Sequence, residues 1–154
     1  MLRQYAIGER DFTSIHLSAY LSEADITEIN LSEADIMGAN SFEKTNLTRA
    51  NLSQAKMLGN NLKGAILSHA NLKQTDLSGA DLTNTNLSYA DLREAILTGA
   101  DLKEAELLEC KLEGAILVAA NLKGAKNCCI GRGALICKTV FPDGEFVRGP
   151  YLWE

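Results

Sequence analysis

A chain of 154 residues is enough for one domain, and a hydrophobic content of 46% allows a continuous core. Only 6% of the residues are aromatic, so that core is drawn mainly from Leu and Ala. The formal net charge of −5 excludes the basic excess that a nucleic-acid binder needs, and the absence of an apolar run of 18 or more residues excludes a membrane-spanning helix.

In chain order, the opening M-L-R-Q-Y-A lacks the apolar stretch of a signal peptide, which makes a cytoplasmic location the expectation. Leu2 to Ile7 followed by Gly8 predicts a short helical cap ending on a Gly at C′, within an N-terminal segment 1–9. From Asn46 to Leu122 the chain then repeats every five residues as A-(N/D)-L-x-x, as in A-N-L-S-Q at 50–54, A-D-L-T-N at 80–84 and A-D-L-K-E at 100–104.

Five is a period that neither standard element accommodates. On an α-helix, leucines five apart lie about 140° from one another and form no single buried stripe. On a straight strand, an odd spacing puts successive leucines on opposite faces. A corner in every repeat resolves this: Ala and Leu turn inward, the polar residue between them turns outward, and the last two residues redirect the chain. Coils of this kind stack into a parallel solenoid with neighbours about 4.8 Å apart.

The repeats quoted, together with Y-A-I-G-E-R-D-F at 5–12, resemble the pentapeptide-repeat family and its cyanobacterial members in particular. The resemblance covers residues from about 10 to 125, and the last quarter matches poorly. It implies an all-β fold, a right-handed quadrilateral β-helix with four five-residue sides per coil. Here that fold carries a short N-terminal helical cap and an irregular C-terminal cap. The whole chain reads as one domain, with repeats over 10–126 and a cap or tail over 127–154.

The inward positions agree with this reading. Of the 17 repeats centred from Phe42 to Leu122, 15 have Leu at the centre, the exceptions being Phe42 and Met57; two residues upstream, 11 carry Ala. The frame slips twice before Phe42. With four repeats per coil, Gly38, Gly59, Gly79, Gly99 and Ala119 nevertheless form one unbroken column of small corner residues, where Gly reaches φ > 0 without steric cost. In the same register Asn40 lies one coil below Asn60, and two inward amides so placed can satisfy each other.

Past 126 the P-D-G between T-V-F and E-F-V predicts a hairpin turn. Phe141, Phe146, Tyr151 and Trp153 either plug the open end of the solenoid or meet a second chain. Cys110 replaces an inward Ala and reads as a small core residue. Cys128, Cys129 and Cys137 are candidate cap thiols, reduced or joined in a disulfide; their C-C-x7-C spacing fits no standard zinc pattern.

No catalytic residue, cofactor site or metal site is expected. His16 and His69 point outward on different sides about three coils apart, and no phosphate loop or nucleophile elbow occurs. The corner column Arg49, His69, Tyr89 and Glu109 reads as a solvated polar row. The chain is therefore expected to be a non-catalytic interaction or structural scaffold with an unidentified protein partner, and with no direct contact to nucleic acid or membrane. A homodimer through the C-terminal end or an apolar side is a further expectation.

The best surface candidate is on the side with the glycine corners, where Leu58, Ile96, Ile116, Val118 and Ala119 face outward. Either a partner or the chain's own C-terminal segment covers them. The alternative function comes from the resemblance: one group of the family mimics B-form DNA and inhibits or protects DNA gyrase, usually as an end-to-end dimer. A DNA mimic needs negative charge along its whole length. Residues 1–40 hold two basic and seven acidic residues, whereas residues 41–154 hold 13 of each, with Lys63, Lys103 and Lys123 along one face. The neutral body disfavours that alternative, as does the lack of the large loop seen in some gyrase-protecting members.

Overall fold

The computed structural model describes residues 1–18, 20–37 and 41–154. It opens with a single helical turn, α1 (Leu2–Ala6). Gly8 follows at φ +101°, and its N–H donates to the Tyr5 carbonyl at 3.0 Å, so Gly sits where the chain must leave the helix in a left-handed conformation. A five-residue helix has too few internal bonds to persist alone. Tyr5 ties it to the next layer by donating its hydroxyl to the Thr27 carbonyl at 2.9 Å, and Arg10 stacks 3.8 Å from the Tyr5 ring centre.

After this turn the chain is a stack of coils joined by parallel bridges. Asn51 pairs with Asn71, Asn71 with Asp91 and Asp91 with Lys111, a rise of one coil for every 20 residues. The two frame slips appear as steps of 19 and 21 residues, as in Asp11 with Asn30 and Asn30 with Asn51, and the column continues through both. Among the described residues, strands of two residues occur only in the C-terminal segment, and in the coils each side contributes a single bridged residue. The reason is the period: a five-residue side must spend its remaining positions turning.

One repeat accounts for all its backbone donors. In 70–74, Ala70 N–H closes a turn onto the Leu67 carbonyl at 3.0 Å, Asn71 N–H reaches back one coil to the Ala50 carbonyl at 2.9 Å, and Leu72 and Gln74 N–H reach forward to Asp91 and Arg93. The remaining donor, Lys73 N–H, is taken by Asn71 Oδ1 at 3.2 Å. The same contact recurs from Asn46 to Thr48, Asp81 to Thr83 and Asn121 to Lys123. The outward Asn or Asp is thus the residue that keeps one amide per repeat from being left without an acceptor.

The corner requires a left-handed residue two positions after each centre. Gly59, Gly79 and Gly99 lie at φ +68°, +66° and +68°, and Ala119 follows at +57°. Gly38 of the same column lies outside the described residues. The conformation is not confined to that column: Glu33, Gln54, His69, Tyr89 and Glu94 hold φ between 57° and 62° at their own corners. Each of these costs an L-residue on the order of 1 kcal/mol, offset by the turn bond and inter-coil bonds that the corner makes possible.

The core is a single column of buried centres from Phe12 through Leu122, with Ala or another small residue between them. Inward Thr residues satisfy their hydroxyls on carbonyls, Thr45 on Leu21 at 2.6 Å and Thr75 on Leu52 at 2.7 Å. Asn60 is fully buried and donates Nδ2 to the Ile36 carbonyl at 2.8 Å. The expected amide pair cannot be described, because Asn40 lies outside the described residues.

The coil continues beyond residue 126. Leu135 bridges to Ile116 and Val140 to Asn121, both at a 19-residue step, and Ala134, Ile136 and Thr139 are buried like their counterparts one coil earlier. The Arg132 carbonyl accepts the N–H of Gly114, which sets Gly131 over Leu112; a Cβ there would collide with the Leu112–Glu113 backbone. The chain then folds onto this last coil. The hairpin expected at P-D-G is present: β2 (Thr139–Val140) pairs antiparallel with β3 (Phe146–Val147), Gly144 sits at φ +89°, and Asp143 Oδ1 accepts Glu145 N–H at 2.8 Å. β4 (Tyr151–Leu152) pairs antiparallel with β1 (Leu135–Ile136).

Candidate interaction surface

Parallel stacking turns a sequence pattern into columns, because each outward residue stands directly over its counterpart one coil earlier. On the glycine side the bridged residues run Asp35, Lys56, Asp76, Ile96, Ile116 and Leu135, so the column changes from charged to aliphatic halfway along. Ile96, Ile116 and Leu135 are half-buried against one another and against the flanking column, in which Val118 is also half-buried. Ala119 forms the exposed corner beside them. Leu58 is 46% exposed but lies two coils earlier than Thr98, past Ser78, and is not contiguous with this patch.

Among the described residues the C-terminal segment from 142 onward reaches this strip only at its end, where Leu152 of β4 pairs with Leu135, and makes no backbone bond to Ile96, Ile116, Val118 or Ala119. Trp153 exchanges hydrogen bonds with Gly133 and Ala134 at 2.7 and 2.9 Å, Lys138 N–H donates to the Arg148 carbonyl, and Phe141 N–H to the Glu145 carbonyl. All of these partners belong to the last coil. Leu135 is the patch residue that sequence reasoning missed. Its signal was available: A-L-I-C-K at 134–138 and T-V-F-P-D at 139–143 keep the five-residue pattern, shifted by one position from the frame before them.

The thiols separate into two places. Cys110, Cys128 and Cys129 line one crevice of about 750 Å³ between the last coils, beside Ala125 and Pro142. Cys137 is on the glycine side, where Sγ donates to the Arg148 carbonyl at 3.4 Å. All four are free. Burial pushes the Cys110 thiol up to about 12 and that of Cys128 up to about 11, because a thiolate there would lose its hydration.

The polar columns pair their charges locally. Lys44 meets Glu23 and Arg49 meets Glu28, each at 3.4 Å, and Lys103 meets Asp101 at 2.8 Å. Arg93 grips Asp91 through Nε at 2.8 Å and through a second nitrogen, and these bonds hold the Asp91 carboxyl below the usual range. His16 faces Asp35 at 3.5 Å, whereas His69 stacks on Tyr89 with ring centres 4.9 Å apart and planes 6° from parallel. The two histidines share no site. Among the described residues no group of three or more His, Cys, Asp or Glu is placed to hold a metal ion.

Comparison with known proteins finds repeat proteins. A family profile described as pentapeptide repeats (8 copies) matches residues 18–54, 45–84, 61–99 and 95–126. Among solved structures, the chain is similar to HetL, a pentapeptide repeat protein involved in heterocyst differentiation regulation in the cyanobacterium Nostoc sp. strain PCC 7120, at 28% identity, with 95% of this chain and 97% of HetL covered and a TM-score of 0.38. It is similar also to a pentapeptide repeat protein from the cyanobacterium Cyanothece 51142, at 24% identity over 82% of this chain and 94% of the other, TM-score 0.39. A third is QnrB1, a plasmid-mediated fluoroquinolone resistance protein, at 23% identity over 94% and 85%, TM-score 0.39. No curated protein sequence gives a significant match.

Proposed function

Because the chain belongs to the pentapeptide repeat family, we propose that it is a non-catalytic scaffold that holds a partner protein against the aliphatic half of its glycine side. The observation that carries this reading is the Ile96–Ile116–Leu135 column with Val118 beside it, three aliphatic residues in successive coils on a surface whose other apolar residues, such as Ile66 and Leu108, stand singly among polar ones. The occupant is a protein surface with an apolar centre, since a strip flanked by Thr98 and Ala119 carries no charge to select an ion or a nucleic acid. A second copy of this chain, meeting it along this side or at the C-terminal end, is the competing occupant.

In the same reading the coils wind right-handed with four sides, as the family resemblance implies; 20-residue steps with a turn in every five residues support it. α1 covers the first coil, and the segment from 142 onward covers the last, which keeps the ends from exposing Leu and unpaired backbone. No helix among the described residues is long and apolar enough to cross a membrane.

The test is capture from the native cell with wild-type chain and Ile116→Glu as baits, read beside the solution mass of each. A partner retained by wild type and lost by Ile116→Glu, with both baits equally folded by circular dichroism, is the expected result. Equal capture by both removes the glycine side from the interaction, and a wild-type mass of two chains that Ile116→Glu halves assigns the strip to a second copy.

A further inference from the structure

The last coil is incomplete as a core layer. Ile136 and Phe141 occupy centre positions above Leu117 and Leu122, but Gly131 stands over Leu112 with no side chain. The segment that follows crosses this end without filling it. What results is a crevice of about 840 Å³, floored by Ile136 and Phe141 and walled by Phe146, Tyr151 and Trp153.

The walls are fixed in place. Trp153 is held by its two backbone bonds to Gly133 and Ala134, and its ring lies 5.9 Å from that of Phe141 at an angle of 59°. Gly149, at φ +55°, presses so closely on the last coil that a Cβ would collide with the Ile136 carbonyl and the Cys137 backbone. Four aromatic rings therefore converge on a space that stays open, with Phe146, Tyr151 and Trp153 between 43% and 60% exposed.

Its rim is charged, and none of the ion pairs found among the described residues neutralises it: Glu145 and Glu154 line it with Arg148. Aromatic faces carry negative quadrupole density and attract cations, most strongly when carboxylates stand nearby and water is partly excluded. We propose that this end crevice binds an organic cation, an alkylammonium group on an apolar or aromatic body, with the cation against the rings and the carboxylates of Glu145 and Glu154. Arg148 opposes it as the one like charge on the rim. The site is at the end of the coil and shares no lining residue with the strip proposed for the glycine side, which it adjoins where Leu152 pairs with Leu135.

Trp153 is the single Trp of the chain, so its fluorescence reports on this crevice alone. Phenyltrimethylammonium titrated into the full chain is expected to change that emission saturably and to give binding heat. Benzenesulfonate, similar in size and opposite in charge, is expected to bind at least about ten-fold more weakly. Tyr151→Ala, and separately Glu145→Gln with Glu154→Gln, should each weaken the cation about five-fold while leaving the melting temperature unchanged, and Arg148→Ala should tighten it about two-fold. A trimethyl-lysine peptide run alongside separates a free cation from one carried on a protein. The proposal is overturned by an unresponsive Trp153, by a sulfonate that binds as well as the ammonium, or by weaker cation binding in Arg148→Ala.

Discussion

Asn71 donates its side-chain amide to Asn51 Oδ1, one coil earlier, at 3.0 Å, while each of the two Oδ1 atoms also accepts the backbone N–H two residues on. Asn51 in turn donates to Asn30, so the amides form a ladder that ties the backbone of each coil to its own corner and to the next coil. Asn51→Ala removes one acceptor shared by Ser53 and Asn71 and is expected to destabilise by about 1–3 kcal/mol, more than a surface substitution does. Chemical denaturation checks this; a cost within about 0.5 kcal/mol would show that water replaces the ladder freely.

Leu82 is fully buried in the middle of the column, and a narrow core bounded by backbone on all sides cannot collapse around a hole. Leu82→Ala is expected to cost roughly 2–5 kcal/mol. Lys63→Ala, on an exposed outward position, should stay within about 0.5 kcal/mol. Equal denaturation midpoints for the two would contradict the inward placement of Leu82.

At the corners, conformation decides more than space. A Cβ on Gly79 meets nothing within 4 Å, yet the residue sits at φ +66°. Gly79→Ala is therefore expected to destabilise by about 1–2 kcal/mol although its Cβ meets nothing. Gln54→Gly, relieving φ +60°, should stabilise by a few tenths to about 1 kcal/mol after the added freedom of the unfolded chain is subtracted. Opposite signs in a thermal melt are the outcome that checks both.

The buried thiols make stability fall in alkali. Burial pushes the Cys110 thiol up to about 12 and that of half-buried Cys128 up to about 11 in the fold, against an ordinary value of 9.0. Between these limits the unfolded chain releases protons that the folded chain keeps, so unfolding becomes easier as pH rises above about 9. Cys110→Ala should flatten that decline, and a thiol reagent at pH 8 should label exposed Cys129 well before Cys110. A Cys110 labelled as fast as Cys129 would mean that the last coil opens readily.

Ion pairing along the stack bears on the DNA-mimic alternative. Lys44 and Arg49 pair with Glu23 and Glu28 of the acidic first coils, Arg93 and Lys103 pair within their own repeats, and residues 41–154 hold 13 basic and 13 acidic residues, so the field along the stack cancels within about a Debye length, roughly 8 Å at physiological salt. Supercoiling by DNA gyrase is expected to continue without strong inhibition at low micromolar concentrations of this chain. Potent, salt-sensitive inhibition, weakened by neutralising acidic residues along the stack, would reverse the choice.

The sequence alone determined the period, the inward Leu and Ala, and the register through the insertion before Phe42, because a solenoid makes each repeat contact only its neighbours and so writes its packing locally. It also located the helical turn before Gly8 and the hairpin at Pro142–Gly144, whose signals are local. The tertiary structure decided what depends on the coil above or below. The Asn30–Asn51–Asn71 side-chain ladder and the seating of the 134–143 repeats above Leu117 and Leu122 exist only once one coil is stacked on another, and the left-handed state of corners occupied by Glu and Tyr is held by the bonds that stacking supplies. The charged and aromatic rim around Trp153 was likewise beyond the sequence: its residues share no period, and they meet only because the chain turns back across an end that its own repeats leave open.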